Sequence, residues 1–177
     1  VILYPRGKVS GLQEKQLTTL GGNITALEID GTFDDCQRLV KSAFLDRDLA
    51  ERLNLTSANS INLSRLVPQS FYYLHGSRQL PEGVAPEFVI PSGNFGNLTA
   101  GLLAMQLGLP VKGFLAATNA NDVVPAYLRT GDYRPRPSTA TISNAMDVGA
   151  PSNFARMQAL FGGSWDAMRG KIEGLAF

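Results

Sequence analysis

The chain has 177 residues, 44% of them apolar, with 16 basic side chains against 15 acidic ones and a formal net charge of +1. That balance excludes the clustered positive surface on which nucleic-acid binding depends, and a single cysteine, Cys36, excludes an intramolecular disulfide. No apolar run approaches the roughly 20 residues that cross a bilayer, and no secretory-signal pattern is visible, so the expectation is a cytoplasmic protein with neither nucleic acid nor membrane as partner.

Apolar runs predict strands over residues 1–4, 24–29, 88–90 and 111–117, separated by segments of helical period, which is the alternation of a parallel α/β sheet. Residues 11–20 predict a helix stopped by Gly21-Gly22, and residues 33–44 a second one with Phe33, Leu39, Val40, Ala43 and Phe44 on one stripe. A short helix over 47–53 follows. The next covers 63–74, where Leu66, Val67, Ser70, Phe71 and Leu74 share a stripe and Pro68 predicts a kink or a later start. Residues 56–62, small and polar, read as a crossing between two lobes, and residues 134–139, rich in proline, as an extended surface path. Residues 165–177 favour helix but end on Gly174-Leu175-Ala176-Phe177 without a stop signal, and residue 1 already reads as strand, so both ends look like cuts through a longer chain.

Three stretches carry polar chemistry. Phe88-Val89-Ile90 runs into Pro91-Ser92-Gly93-Asn94-Phe95-Gly96-Asn97 and then into a helix of small and apolar residues. A turn of Gly and Asn lets several backbone N–H groups converge, and a helix N-terminus adds about half a positive charge, so such a turn can hold a phosphate without Lys or Arg. The same residues would equally suit a turn that uses them for geometry alone, and spacing does not choose. In Ala58-Asn59-Ser60-Ile61-Asn62-Leu63-Ser64-Arg65, Asn59 or Ser60 reads as a helix cap and Arg65 as a solvated charge. The polar residues of 143–153 read as turn formers. His75 is the only histidine, which leaves no Ser-His-Asp triad and, with one cysteine, no ordinary zinc ligand set; no metal is expected.

Pro5-Arg6-Gly7-Lys8-Val9-Ser10, Leu12-Gln13-Glu14-Lys15, Gly21-Gly22-Asn23, Ser57-Ala58-Asn59-Ser60-Ile61-Asn62, residues 91–101, Ala117-Thr118-Asn119 and Ser143-Asn144-Ala145-Met146-Asp147-Val148 stand in a recognisable order. On these blocks, over about residues 1–160, the chain resembles the threonine synthase family in the longer form of many bacteria and fungi. Asp30-Gly31-Thr32-Phe33-Asp34-Asp35-Cys36 resembles the wider fold-type-II pyridoxal-phosphate (PLP) family less specifically.

The resemblance implies a three-layer α/β fold with parallel sheets, similar to the tryptophan synthase β chain and truncated at both ends. Residues 1–57 would be the later part of a small α/β lobe, and residues 58–177 part of the large lobe that binds PLP, with the cofactor in the cleft between them. It implies a lyase of threonine biosynthesis that turns O-phosphohomoserine and water into threonine and phosphate. Gly93, Asn94, Phe95, Gly96 and Asn97 would hold the cofactor phosphate, and Ser60, Arg65 and Asn94 the substrate phosphate.

The family's attachment lysine, in a Phe-Lys-Asp sequence, has no counterpart among Lys8, Lys15, Lys41, Lys112 and Lys171. No catalytic residue is therefore expected here. The segment alone is expected to be inactive, not to hold PLP stably, and to depend on the remaining parts of the same polypeptide. Two alternatives stay open. One is a related dehydratase, disfavoured because Asn94-Phe95-Gly96-Asn97 stands where dehydratases usually carry a run of glycines. The other is a non-catalytic module that binds an anion.

Overall fold

Strand pairing is parallel throughout the computed structural model, which describes all 177 residues and divides into two units, Val1–Thr56 and Ser57–Phe177. No helix is long and apolar enough to cross a membrane.

In the first unit β1 (Ile2–Pro5) pairs with β2 (Ala26–Ile29), with Ile2 opposite Ala26 and Pro5 opposite Ile29. Between them lies α1 (Gly11–Thr18), started by a reciprocal cap in which the Ser10 hydroxyl accepts from Gln13 N and the Gln13 side chain accepts from Ser10 N. Gly21 and Gly22, at φ 64° and 60°, then turn the chain toward β2. A second reciprocal cap, Thr32 with Asp35, starts α2 (Phe33–Leu45), and Asp46 caps α3 (Arg47–Arg52). The buried apolar side chains of this unit are Tyr4, Pro5 and Cys36, and burial raises the Cys36 thiol above its ordinary pKa.

The second unit is a three-stranded sheet, β3 (Glu87–Pro91), β4 (Gly113–Thr118) and β5 (Ile172–Ala176), with β4 in the middle. Residues 63–74 do not form one helix: Leu63–Arg65 make a single 3-10 turn and α4 runs from Leu66 to Ser77. That division puts Pro68 in the first turn of α4, where its missing N–H costs no helical bond. The chain continues with α5 (Gly96–Gln106), α6 (Val123–Thr130), a 3-10 turn at Asn144–Met146, α7 (Phe154–Leu160) and α8 (Trp165–Arg169).

The helix expected over residues 165–177 stops at Arg169, and the last segment is strand β5. Pairing overrides the local preference: Phe114 N donates to Lys171 O at 2.8 Å, and Phe114 through Thr118 lie opposite Ile172 through Ala176. Gly174 is required there, because a Cβ would sit 2.7 Å from Pro125 Cα of α6.

Period-two alternation assigns the two faces of the sheet. Phe88, Ile90, Phe114, Ala116, Ile172 and Gly174 share one face. Tyr73 of α4 meets Phe88 and Phe114 on that face, edge to ring at centroid distances of 4.9 and 6.1 Å. Leu66, Leu98, Leu102, Phe114, Met157, Met168 and Ile172 are fully buried in the core that results. On the opposite face Val89 is 65% exposed and Leu175 41%.

Candidate functional site

The C-terminal ends of β3 and β4 lead into the loops that gather the polar blocks, the usual place for a ligand at a parallel sheet. Ser92 N still pairs with Ala117 O at 2.8 Å, so the β ladder extends to the first residue of the loop. Ser92–Phe95 then connects β3 to α5, while Gly96 and Asn97 already belong to the first turn of the helix. The boundary thus falls inside the expected Gly93–Asn97 loop.

Phe95 is the only non-glycine residue with positive φ, at 58°, and its ring is buried. Packing of that ring offsets a backbone state that costs of order 1 kcal/mol or more. No side chain caps α5, which leaves the first-turn N–H groups without a side-chain acceptor. Backbone donors on a turn at the positive end of a helix, with no carboxylate among them, suit a phosphate group.

Four residues of the loop, Gly93, Asn94, Gly96 and Asn97, are held by neighbours distant in sequence. Gly93 lies against Met146, whose Cα would be 2.8 Å from an added Cβ. Gly96 lies against Ser60, whose Cβ would be 3.0 Å from one. Tyr73 Oη donates to Asn97, 2.8 Å from its backbone O and 2.9 Å from Oδ1, and burial pushes the phenol pKa upward. Asn94 Nδ2 donates to Ser60 Oγ at 3.2 Å, and Asn94 Oδ1 accepts from Ser152 N at 2.6 Å and Ser152 Oγ at 3.0 Å.

Two of the residues expected to bind substrate phosphate are therefore in direct contact, Ser60 and Asn94. Arg65 is exposed, and its guanidinium donates to the carbonyl of Ala58.

Asn153, which the sequence offers only as a turn former, and Arg156, which carries no sequence signal, complete the network. Asn153 is fully buried, and its Nδ2 donates to Asn94 O at 2.9 Å and Ser60 Oγ at 3.4 Å. Arg156 donates through one nitrogen to Ser60 O and Asn153 Oδ1, both at 2.6 Å, and through the other to Ile61 O.

A second network braces the far side of the loop. Asn119, just past β4, donates from Nδ2 toward Thr141 Oγ1, Ser143 Oγ and Asp147 Oδ1 at 2.8–2.9 Å. Asp147 Oδ2 accepts from Thr141 N at 2.9 Å, and Asn121 exchanges hydrogen bonds with the Thr139 backbone. These bonds fix the segment that carries Met146 and so the wall behind Gly93. The Ala117-Thr118-Asn119 and 143–148 blocks act as framework for the loop.

No family model matches the chain. A threonine synthase from Serratia marcescens is 59% identical over 163 residues, which are 91% of this chain and 38% of that protein. The crystal structure of threonine synthase from Escherichia coli superposes with a TM-score of 0.89 at 53% identity over 99% of this chain and 42% of that one. The PLP-bound threonine synthase from Brucella melitensis gives a TM-score of 0.78 at 35% identity over 99% of this chain and 43% of that one. The chain spans about two fifths of the length of these relatives. Over that span, the chain is similar to threonine synthases in both sequence and fold.

Proposed function

We propose that these residues supply the phosphate-holding part of an enzyme that converts O-phosphohomoserine and water into threonine and phosphate, with PLP as cofactor and the cytoplasm as its compartment. The reading rests chiefly on one observation. Ser60 and Asn94, 34 residues apart, are hydrogen-bonded to each other beside Gly96, at the uncapped start of α5.

In this reading the N–H groups of Gly93, Asn94, Phe95, Gly96 and Asn97 take the cofactor phosphate. Ser60, Arg65 and Asn94 take the substrate phosphate. A guanidinium binds phosphate oxygens in pairs, while a hydroxyl and an amide N–H fill the remaining acceptors. PLP, when bound, supplies the electron sink that lets a carbanion form beside the substrate nitrogen. The contribution of this chain is orientation: two phosphates fixed on one rigid loop set the position of the reacting carbons.

None of the five lysines of the chain stands in a Phe-Lys-Asp sequence. Cofactor attachment and proton transfer are accordingly assigned to other parts of the complete enzyme, and the 177-residue chain alone is expected neither to make threonine nor to attach PLP covalently. In the complete enzyme, Arg65→Ala is expected to weaken O-phosphohomoserine binding by about 1.5–3 kcal/mol with PLP affinity nearly unchanged, measured by titrating substrate into cofactor-loaded protein. A change within about 0.5 kcal/mol marks Arg65 as a surface charge. A complete enzyme that does not turn over O-phosphohomoserine overturns the whole reading.

A further inference from the structure

We infer that Arg156 is a positioning residue for the phosphate site, acting through Ser60, Asn153 and Asn94. It rests on the reading of Ser60 and Asn94 as phosphate ligands and assigns the group that holds them in place.

Ser60 lies in a segment, residues 57–62, that contains no helix or strand, so its backbone is not fixed by a helix or sheet ladder. Arg156 supplies what is missing. Its guanidinium reaches two consecutive carbonyls, Ser60 O and Ile61 O, and also Asn153 Oδ1. A planar fork can meet two adjacent acceptors at once, where an ammonium offers a single nitrogen. With its Oδ1 occupied by Arg156, Asn153 must turn its Nδ2 the other way, and that nitrogen contacts Asn94 O at 2.9 Å and Ser60 Oγ at 3.4 Å. One guanidinium on α7 thereby sets the backbone of Ser60, the orientation of the Asn153 amide and the carbonyl of Asn94.

Charge points the same way. Arg6, Arg38, Arg129, Arg134, Arg136 and Arg169 all have carboxylate partners. Every hydrogen bond that Arg156 makes goes to a neutral carbonyl or amide oxygen. Its positive charge is half-buried beside Ser60 and is not cancelled by an acid, so it favours an anion at the adjoining loop.

The test uses the complete enzyme as wild type, Arg156→Ala and Arg156→Lys, with two readouts. The first is steady-state kinetics on O-phosphohomoserine. Arg156→Ala is expected to raise KM at least tenfold while kcat changes less than threefold, and Arg156→Lys, which keeps the charge and can hold one carbonyl, to fall between. The second requires no turnover: amide hydrogen exchange of residues 93–97 with increasing inorganic phosphate. Wild type is expected to show slowed exchange, and Arg156→Ala to need at least ten times more phosphate for the same protection.

Equal phosphate dependence in wild type and Arg156→Ala overturns the inference, as does a KM within twofold of wild type. A wild type whose loop phosphate does not protect also overturns it. If Arg156→Ala does not fold, Arg156→Lys decides alone, and values equal to wild type reject the role of the fork. A wild type that shows phosphate protection but no turnover of O-phosphohomoserine refutes the proposed reaction and leaves the positioning role standing.

Discussion

Gly101 shows how closely single side chains are fitted around the site. A Cβ there would lie 2.7 Å from Tyr73 Cζ and 2.8 Å from Phe114 Cε1. Alanine favours a helix over glycine by about 1 kcal/mol, but overpacking a filled core costs about 1–3 kcal/mol. Gly101→Ala is therefore expected to destabilise by about 1 kcal/mol, read as a lower urea midpoint, whereas Gly76→Ala in α4, with nothing within 4 Å, should be neutral or stabilising. A Gly101→Ala midpoint above wild type rejects this account of the packing. At this scale the sequence was informative where chemistry is local. The Gly and Asn residues of 93–97 announce a turn with exposed N–H groups, and the loop lies between β3 and α5 with its last two residues in the helix. Arg156 carried no signal, because its partners are carbonyls 95 and 96 positions away and any residue type has a carbonyl.

Elements were legible where a stop or start signal is written in the chain. The helix expected over 33–44 is α2 (Phe33–Leu45), whereas the one expected over 11–20 stops at Thr18 with Thr19 as its C-cap, before Gly21-Gly22 turn the chain. Strand β5 was not legible, since its assignment depends on β4 lying alongside and not on its own alternation. The cap on α2 has a consequence in acid. A hydrogen bond from Arg38 at 2.9 Å, followed by bonds from Thr32, lowers the Asp35 pKa to about 2. The ordinary value is about 3.9. Because the folded value is the depressed one, this stabilisation is complete above about pH 4 and is lost as pH falls toward 2. Helical circular dichroism followed on heating between pH 2 and 6 should show the thermal midpoint falling in that window, with a shallower fall in Asp35→Asn. Identical acid profiles for the two proteins would refute the linkage.

On the scale of the whole molecule the two units differ in how much they bury. Val1–Thr56 has Tyr4, Pro5 and Cys36 inside, whereas Ser57–Phe177 encloses Leu66, Leu98, Leu102, Phe114, Met157, Met168 and Ile172. A domain near 60 residues is already marginal for want of buried surface. Amide exchange is expected to show lower opening free energies in β1 and α2 than in β4 and α5, and the reverse order would contradict the burial pattern. The buried Asn153 amide carries a consequence for time as well as for structure. Its contacts with Asn94 and Ser60 close chain separations of 59 and 93 residues. Contacts of that separation bear a loop-closure cost that local ones do not, and we expect these two to form after the rate-limiting step of folding. Asn153→Ala leaves a buried carbonyl and a guanidinium short of partners, at about 1–3 kcal/mol. With those contacts absent from the transition state, the whole loss falls on one limb of the kinetics. Stopped-flow measurements across denaturant should find unfolding faster by roughly 5- to 150-fold and refolding unchanged within about twofold; a slowed refolding limb would show instead that this corner of the molecule is assembled early.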